Sequence, residues 1–326
     1  PHVELTGAIG AATLQGTVLS DHNGQVAIDA LAQALQTEAS ARGTLGLLTG
    51  ALAPKLVINL RTDHPPVAGA AFSVQRLPDA PLTITGPLQL EAGRVASEGL
   101  EIQLGPHTAS VAGAVSTGES FQGSRAEVFL KTPDLAALGQ LFGIGDLPSE
   151  PLQLEGAASV EGKGVSFRVN HAEVGAVRLR LNGRIADLGM PAGIDLEFDL
   201  GLPGLSAITR WLPDRSWPDG EVTARGSLVN RDDRVDISET VLTLGGAEAR
   251  LQGRIELEDA PRFDVLLTAD LSDLSRWQGL AGRPLPNVPV DLSARIEGNA
   301  DALSFRQIDL RTGASQGQGD ITVVRD

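Results

Sequence analysis

The chain has 326 residues, 26 basic against 41 acidic side chains, a formal net charge of −15 and no cysteine. The charge repels phosphate backbones and anionic membrane surfaces, which excludes a nucleic-acid or electrostatic membrane binder. The missing cysteine excludes a disulfide framework, a thiolate metal site and a cysteine nucleophile, and a hydrophobic fraction of 42% excludes intrinsic disorder.

Taken in chain order, residues 1–19 read as the closing strands of a unit whose start lies outside the sequence. Residues 20–116 read as a longer, irregular repeat, with a helix predicted over Asp29–Arg42 that places Leu31, Ala34 and Leu35 on one face. Three regular units follow, at 117–188, 189–258 and 259–326. Their signature is a glycine followed two places later by Ile or Val, at Gly113-Ala-Val115, Gly183-Arg-Ile185, Gly253-Arg-Ile255 and Gly319-Asp-Ile321. These glycines lie 70, 70 and 66 residues apart, and Gly16-Thr-Val18 is an earlier copy.

In phase with the glycines, each regular unit carries a short amphipathic segment. The stripes are Leu135, Leu138, Leu141, Phe142; Leu205, Ile208, Trp211, Leu212; and Leu274, Trp277, Leu280, Ala281. Spacings of this kind lie along one side of a helix, with Asp134 and Asp273 as N-caps and proline-rich turns such as Leu147-Pro148 ending them. Elsewhere the period changes to two. Ile194, Leu196, Phe198 and Leu200 alternate with Asp195, Glu197 and Asp199, and Val177, Leu179 and Leu181 alternate with Arg178, Arg180 and Asn182. Such strands are half buried, apolar on one side and wet on the other. The fold class predicted is mainly β: an elongated, repetitive antiparallel sheet curled into an apolar groove, with one short helix per repeat of about 70 residues.

Antiparallel sheet with one apolar face needs a cover. One two-turn helix per several strands is too little, so the sheet must curl, pack on another sheet or leave a groove for a ligand. With tyrosine absent and only eight phenylalanines and three tryptophans, the wall of that groove is aliphatic and suits acyl chains.

Motifs that mimic chemistry dissolve in context. Gly313-Ala-Ser315-Gln-Gly317 fits the nucleophile-elbow pattern, but a strand rather than a helix is expected after it. Gly156 to Lys163 has one residue too many for a phosphate loop and Gly164 where Ser or Thr belongs, and reads as a hairpin. The histidines at 2, 22, 64, 107 and 171 have no metal-ligand spacing and read as surface or turn residues. The Asp195, Glu197, Asp199 row and Asp232-Asp233 lack the loops of calcium repeats and read as solvated faces. Trp211, Trp277 and Phe142 read as packing residues. Neither an enzyme, a cofactor nor a metal is expected.

The run Pro133-Asp134-Leu135 through Leu138, Leu141, Phe142 and Gly143, then Leu147-Pro148, Leu152-Gln-Leu154-Glu-Gly156 and Leu181-Asn-Gly183-Arg-Ile185, resembles the AsmA-like superfamily of Gram-negative bacteria. Asp273-Leu274 through Gly282, Leu285-Pro286, Val290 to Gly298 and Leu310 to Ile321 are similar to it in the last unit. The resemblance implies a periplasmic segment of the cell envelope, tethered to the inner membrane by an anchor outside this chain. The function it implies is a bridge-like carrier that moves phospholipid between inner and outer membrane in outer-membrane biogenesis, with membrane proteins at either end as partners. On this reading the acyl chains lie against Val177, Leu179, Leu181, Ile194, Leu196, Phe198, Val222, Leu228, Ile237, Leu242, Leu244, Ile255, Val265, Leu267, Leu292, Ile296 and Phe305. The alternative reading is a structural or assembly module that binds outer-membrane proteins or other partners through its sheet.

Overall fold

A computed structural model of the chain describes residues 2–9, 12–20, 25–34, 36–48, 51–66, 78–91, 93–118, 121–187, 193–205, 218–231, 233–257, 261–299 and 302–324. It divides into two compact units, Pro1–Lys163 with His171–Gly175, and Gly164–Asn170 with Ala176–Asp326. The fold is mainly β. The first unit carries β1 (His2–Ile9), β2 (Ala12–Ser20), β3 (Gln25–Ala34), β4 (Thr37–Leu48), β5 (Ala51–Thr62), β6 (Leu82–Glu91), β7 (Arg94–Leu104), β8 (His107–Ser116), β9 (Arg125–Thr132) and β10 (Leu152–Glu161). The next strand, β11 (Gly164–Val174), is divided between the units. The second unit continues with β12 (Val177–Ile185), β13 (Ile194–Leu202), β14 (Val222–Arg231), β15 (Arg234–Leu244), β16 (Ala247–Glu256), β17 (Arg262–Leu271), β18 (Val290–Gly298), β19 (Ala302–Thr312) and β20 (Ser315–Val324). Within each unit every strand pairs antiparallel with the next in the chain, β1 to β10 in one and β12 to β20 in the other.

The register carries the period-two pattern of single strands across whole units. In the second unit Leu181 faces Phe198 and Phe198 faces Gly226, while Leu196, Leu228, Ile237, Gly253, Val265, Ile296, Phe305 and Ile321 form one continuous row. Because side chains alternate between faces, one face of β12–β20 is mostly apolar, with Asn230, Thr240, Thr312 and Ser315 the polar exceptions. The other carries Arg180, Asp199 and Arg225 in one row and Arg254, Asp264 and Glu297 in another. The first unit follows the same rule, with Leu60, Ile84 and Ile102 in one row and Leu130 opposite Leu154 in another.

Glycines on the apolar face make this sheet bend. A Cβ added at Gly43, Gly113 or Gly253 would overlap the carbonyl oxygen of Lys55, Arg125 or Asp264 on the following strand, and at Gly183 it would lie 2.6 Å from that of Asp195. Gly113 and Gly253 also hold φ of 138° and 153°, which L side chains avoid. The following strand therefore folds over the apolar face at each of these junctions. Sequence reading missed Gly43, which lies 70 residues before Gly113; Gly16 makes only a looser approach, 3.1 Å to the Asp29 carbonyl. Gly319, by contrast, meets nothing within 4 Å. It pairs with Ile308 beyond a bulge, as Leu251 pairs with Thr240, and Ile321 opposite Phe305 takes the place that Gly253 holds opposite Ile237.

The helix predicted over Asp29–Arg42 does not form. Its residues lie in β3 and β4, joined by a turn at Gln36 with φ of 60°. Val26, Ile28, Ala30, Ala32 and Ala34 also alternate with period two, and pairing with β2 and β4 outweighs the helix propensity of the alanines.

The other helical stripes fare better. Helix α1 (Leu135–Leu141) has Asp134 as its N-cap, accepting from the Ala137 amide at 3.1 Å. In the last unit a 3-10 helix, Leu274–Trp277, is capped by Asp273 and runs into α2 (Gln278–Ala281). Ile208, Trp211 and Leu212 lie outside the described residues.

These short elements cover one end of the strands. Leu202, Val222 and Leu244 are buried there, packed by Leu205 and Trp277 among others. Thr62, Leu104, His107, Thr132 and Leu152 are buried at the corresponding strand ends of the first unit.

Gly253→Ala is expected to cost roughly 2–4 kcal/mol, because a Cβ must displace a neighbouring backbone and occupy a left-handed φ. Gly7→Ala, on β1 with nothing within 4 Å, is expected to change stability by less than about 0.5 kcal/mol. Denaturant midpoints of the two variants measure the contrast.

Candidate functional site

The seventeen aliphatic and aromatic side chains singled out from the sequence, from Val177 to Phe305, all fall on the apolar face of the second unit. Val222, Leu244 and Val265 are buried and the other fourteen are half-buried. Sequence reading left out Leu200, Leu251, Phe263 and Leu303, which share the same rows. The corresponding face of the first unit was also missed. Its signal was the alternation of Val26, Ile28 and Ala30, which the helix reading obscured.

A strand of nine to eleven residues spans about 30 Å, and the helical elements reach only one end of it. Among the described residues no second sheet and no long helix lies over the middle of the apolar face. That leaves a wide aliphatic surface whose rows offer dispersion contacts and few polar anchors. Phe142 is not packed against it in the manner of Trp277: it is 59% exposed, next to Ile144 at 54%.

The opposite face is held by charge. Asp264 on β17 accepts from Arg295 Nε at 2.7 Å and Nη2 at 2.9 Å on β18, and from Arg254 Nη2 at 3.2 Å on β16. The Arg295 hydrogen bonds are the largest cause that holds the Asp264 carboxyl below its ordinary range, with the Arg254 charge adding to them. The predicted acidic row faces arginines and an asparagine, Asp195 opposite Arg184, Glu197 opposite Asn182 and Asp199 opposite Arg180. A hydrogen bond of 3.2 Å joins Asn182 to Glu197. Three concavities open on this charged side. The largest, about 800 Å³, is lined by Arg180, Glu197, Asp199, Arg225 and Glu239. The others measure about 480 Å³ beside Arg250, Asp270 and Arg311 and about 310 Å³ beside Arg254, Asp264 and Glu297.

His107 departs from the expectation of a surface histidine, being 4% exposed at the capped end of β8. Its Nδ1 lies 2.6 Å from Thr132 Oγ1, which donates to the Asp134 carbonyl at 2.8 Å and accepts from the Asp134 amide at 3.1 Å. With the Thr132 proton committed to that carbonyl, Nδ1–H is the donor and the lone pair lies on Nε2. Burial pushes the His107 pKa down, against an opposing pull from Asp134. The side chain thus steadies the turn into α1. Ser315 of the nucleophile-elbow pattern opens β20 after a hairpin turn, and no helix follows it. Gly162 and Lys163 form the turn after β10.

No protein-family model, curated protein or solved structure matches the chain.

The two titrating groups lose their contributions in the same direction, as pH falls, but in separate windows. The contribution of His107 is complete above its ordinary pKa of 6.5 and falls as pH drops through that value toward the lowered folded pKa. The contribution of Asp264 is complete above its ordinary 3.8 and is lost only as pH falls through its lowered folded value. Thermal midpoints of the wild type are expected to decline between about pH 7 and 5. His107→Asn should flatten that decline, and Asp264→Asn should leave it in place while costing about 1 kcal/mol at neutral pH.

Proposed function

We propose that the apolar face holds the acyl chains of phospholipid, as one stretch of a periplasmic conduit between the inner and outer membranes. The observation that supports this reading is the register: a largely aliphatic face many strands wide that, among the described residues, short helical elements cover at one strand end, with the next strand approaching the apolar side closely at each glycine junction. The composition supports it, since a wall without tyrosine offers no strong anchor at any one row. So does the resemblance to the AsmA-like superfamily. No bond is made or broken; lipid slides because successive rows exchange similar contacts while headgroups stay in water.

We infer further that the chain is built from four-strand repeats of about 70 residues. Strands β6, β10, β14 and β18 begin at 82, 152, 222 and 290, and β8, β12, β16 and β20 at 107, 177, 247 and 315. The apolar groove would then gain one similar segment per repeat, with stability accruing between neighbours.

Native mass spectrometry of gently purified protein is expected to show bound phospholipid. Leu196→Asp puts a carboxylate among the tails and is expected to reduce the bound lipid about tenfold or more. Arg180→Asp, on the charged face, should leave it unchanged, and Leu196→Gln guards against an effect of unfolding if its thermal midpoint stays near wild type. Equal lipid in Leu196→Asp, or none in the wild type, would overturn the proposal.

A further inference from the structure

Among the described residues an acidic or amide side chain is followed directly by glycine at Asn182-Gly183 on β12 and at Asp219-Gly220 in the loop before β14. In such a pair the glycine amide nitrogen can attack the side-chain carbonyl carbon and close a succinimide ring, because no Cβ on the glycine hinders the approach. Asparagine loses ammonia in this step and aspartate loses water. Water then opens the ring at either carbonyl. Opening at the main-chain carbonyl leaves an isoaspartyl link, in which the backbone runs through the former side chain.

In an unfolded chain the asparagine pair reacts faster than the aspartate pair, and the fold reverses that order. Gly183 lies inside the ladder opposite Leu196, where an added Cβ would lie 2.6 Å from the Asp195 carbonyl oxygen and 2.8 Å from the Phe167 ring. The Asn182 side-chain amide donates to Glu197 Oε2 at 3.2 Å. Ring closure there requires β12 and β13 to part first.

No ladder holds Asp219 and Gly220. Asp219 is exposed, and among the described residues its carboxyl has neither a hydrogen bond nor an ion pair. The Gly220 amide makes no hydrogen bond there either, so it is left to solvent and is open to turn onto the neighbouring carboxyl. The residues on either side are fixed: Pro218 is buried, and Glu221 lies 3.4 Å from Arg178.

The surroundings make the product consequential. A Cβ on Gly220 would lie 2.8 Å from the Gly245 Cα, and one on Gly245 would lie 2.8 Å from the Asp219 carbonyl oxygen. Two residues further on, Val222 is 3% exposed and packs with Leu202 and Leu244. An isoaspartyl link adds a carbon to the main chain at a point where two loops already meet backbone to backbone. Either the start of β14 or the turn at Gly245 must then move.

We propose that Asp219 is a site of spontaneous isoaspartate formation, and that the modified chain is loosened at the capped end of β14. Neither statement depends on what the apolar face carries.

Incubation of the folded chain in water enriched in heavy oxygen marks each ring opening, since the entering water leaves one oxygen atom in the product. Trypsin separates the two pairs into peptides 181–184 and 216–225. Heavy oxygen and an isoaspartyl isomer are expected to accumulate in 216–225, with 181–184 at background. In urea both peptides should be labelled, 181–184 the faster. Asp219→Glu, whose longer side chain disfavours ring closure, is expected to leave 216–225 unlabelled and to keep its thermal midpoint through an incubation that lowers that of the wild type. An unlabelled 216–225 in the folded wild type, or a 181–184 labelled as fast when folded as in urea, would overturn the site. Equal midpoints for the aged wild type and the aged Asp219→Glu would overturn the loosening.

Discussion

The meeting of a glycine with a neighbouring carbonyl oxygen decides how this sheet can be shaped. At Gly43, Gly113, Gly183 and Gly253 the space that any other residue would fill with a Cβ is occupied by the backbone of the next strand. All four lie on the apolar side, so at each of these positions the next strand is drawn toward that side. Aliphatic side chains that would stand fully in water on a flat sheet are brought to half burial without a second layer. Most of the few buried side chains occupy the row that the short helical elements cover, with Val265 and Ala294 buried in mid-strand.

The charged face has a different task. Register in an antiparallel sheet matters because a slip of one residue exchanges the two faces. Cross-strand partners such as Arg184 with Asp195 and Arg254 with Asp264 favour the native pairing and disfavour its neighbours. Individually these exposed pairs contribute little. Their repetition across adjacent ladders makes misregistered sheets accumulate like-charge contacts, which is where their value for the fold lies. Arginines on the strands beside it, Arg180 and Arg184 on β12 and Arg225 on β14, also explain how a chain of net charge −15 tolerates an acidic row on β13.

Much of this was legible in the residues. The alternation on β12, β13 and β14 placed the apolar side chains named on those strands on one face, because period two is a local property that pairing only extends. The helix caps Asp134 and Asp273 were legible for the same reason: capping is settled within one turn. Two readings failed where local signals were ambiguous or shifted. Ala30, Ala32 and Ala34 satisfy a helical stripe and a strand alternation together, and only the neighbouring strands decide between them. Gly319 looked like the fifth member of a series, yet a bulge in β19 offsets β20 so that Ile321 stands in the glycine's place. Bulges are set by how two strands meet, which one strand's sequence does not record. The interior place of His107 was hidden likewise, since its partner Thr132 is 25 residues away.

The concentration of buried side chains at one strand end has a kinetic consequence. Each strand is anchored at the end where Leu202, Val222 and Leu244 pack and is held at its far hairpin by backbone pairing and half-exposed side chains alone. Opening fluctuations therefore have a direction: they start at the hairpin tips and travel toward the capped end, much as a zipper parts from its free side. A sheet that loosens from one rim while staying fastened at the other can move locally without unfolding.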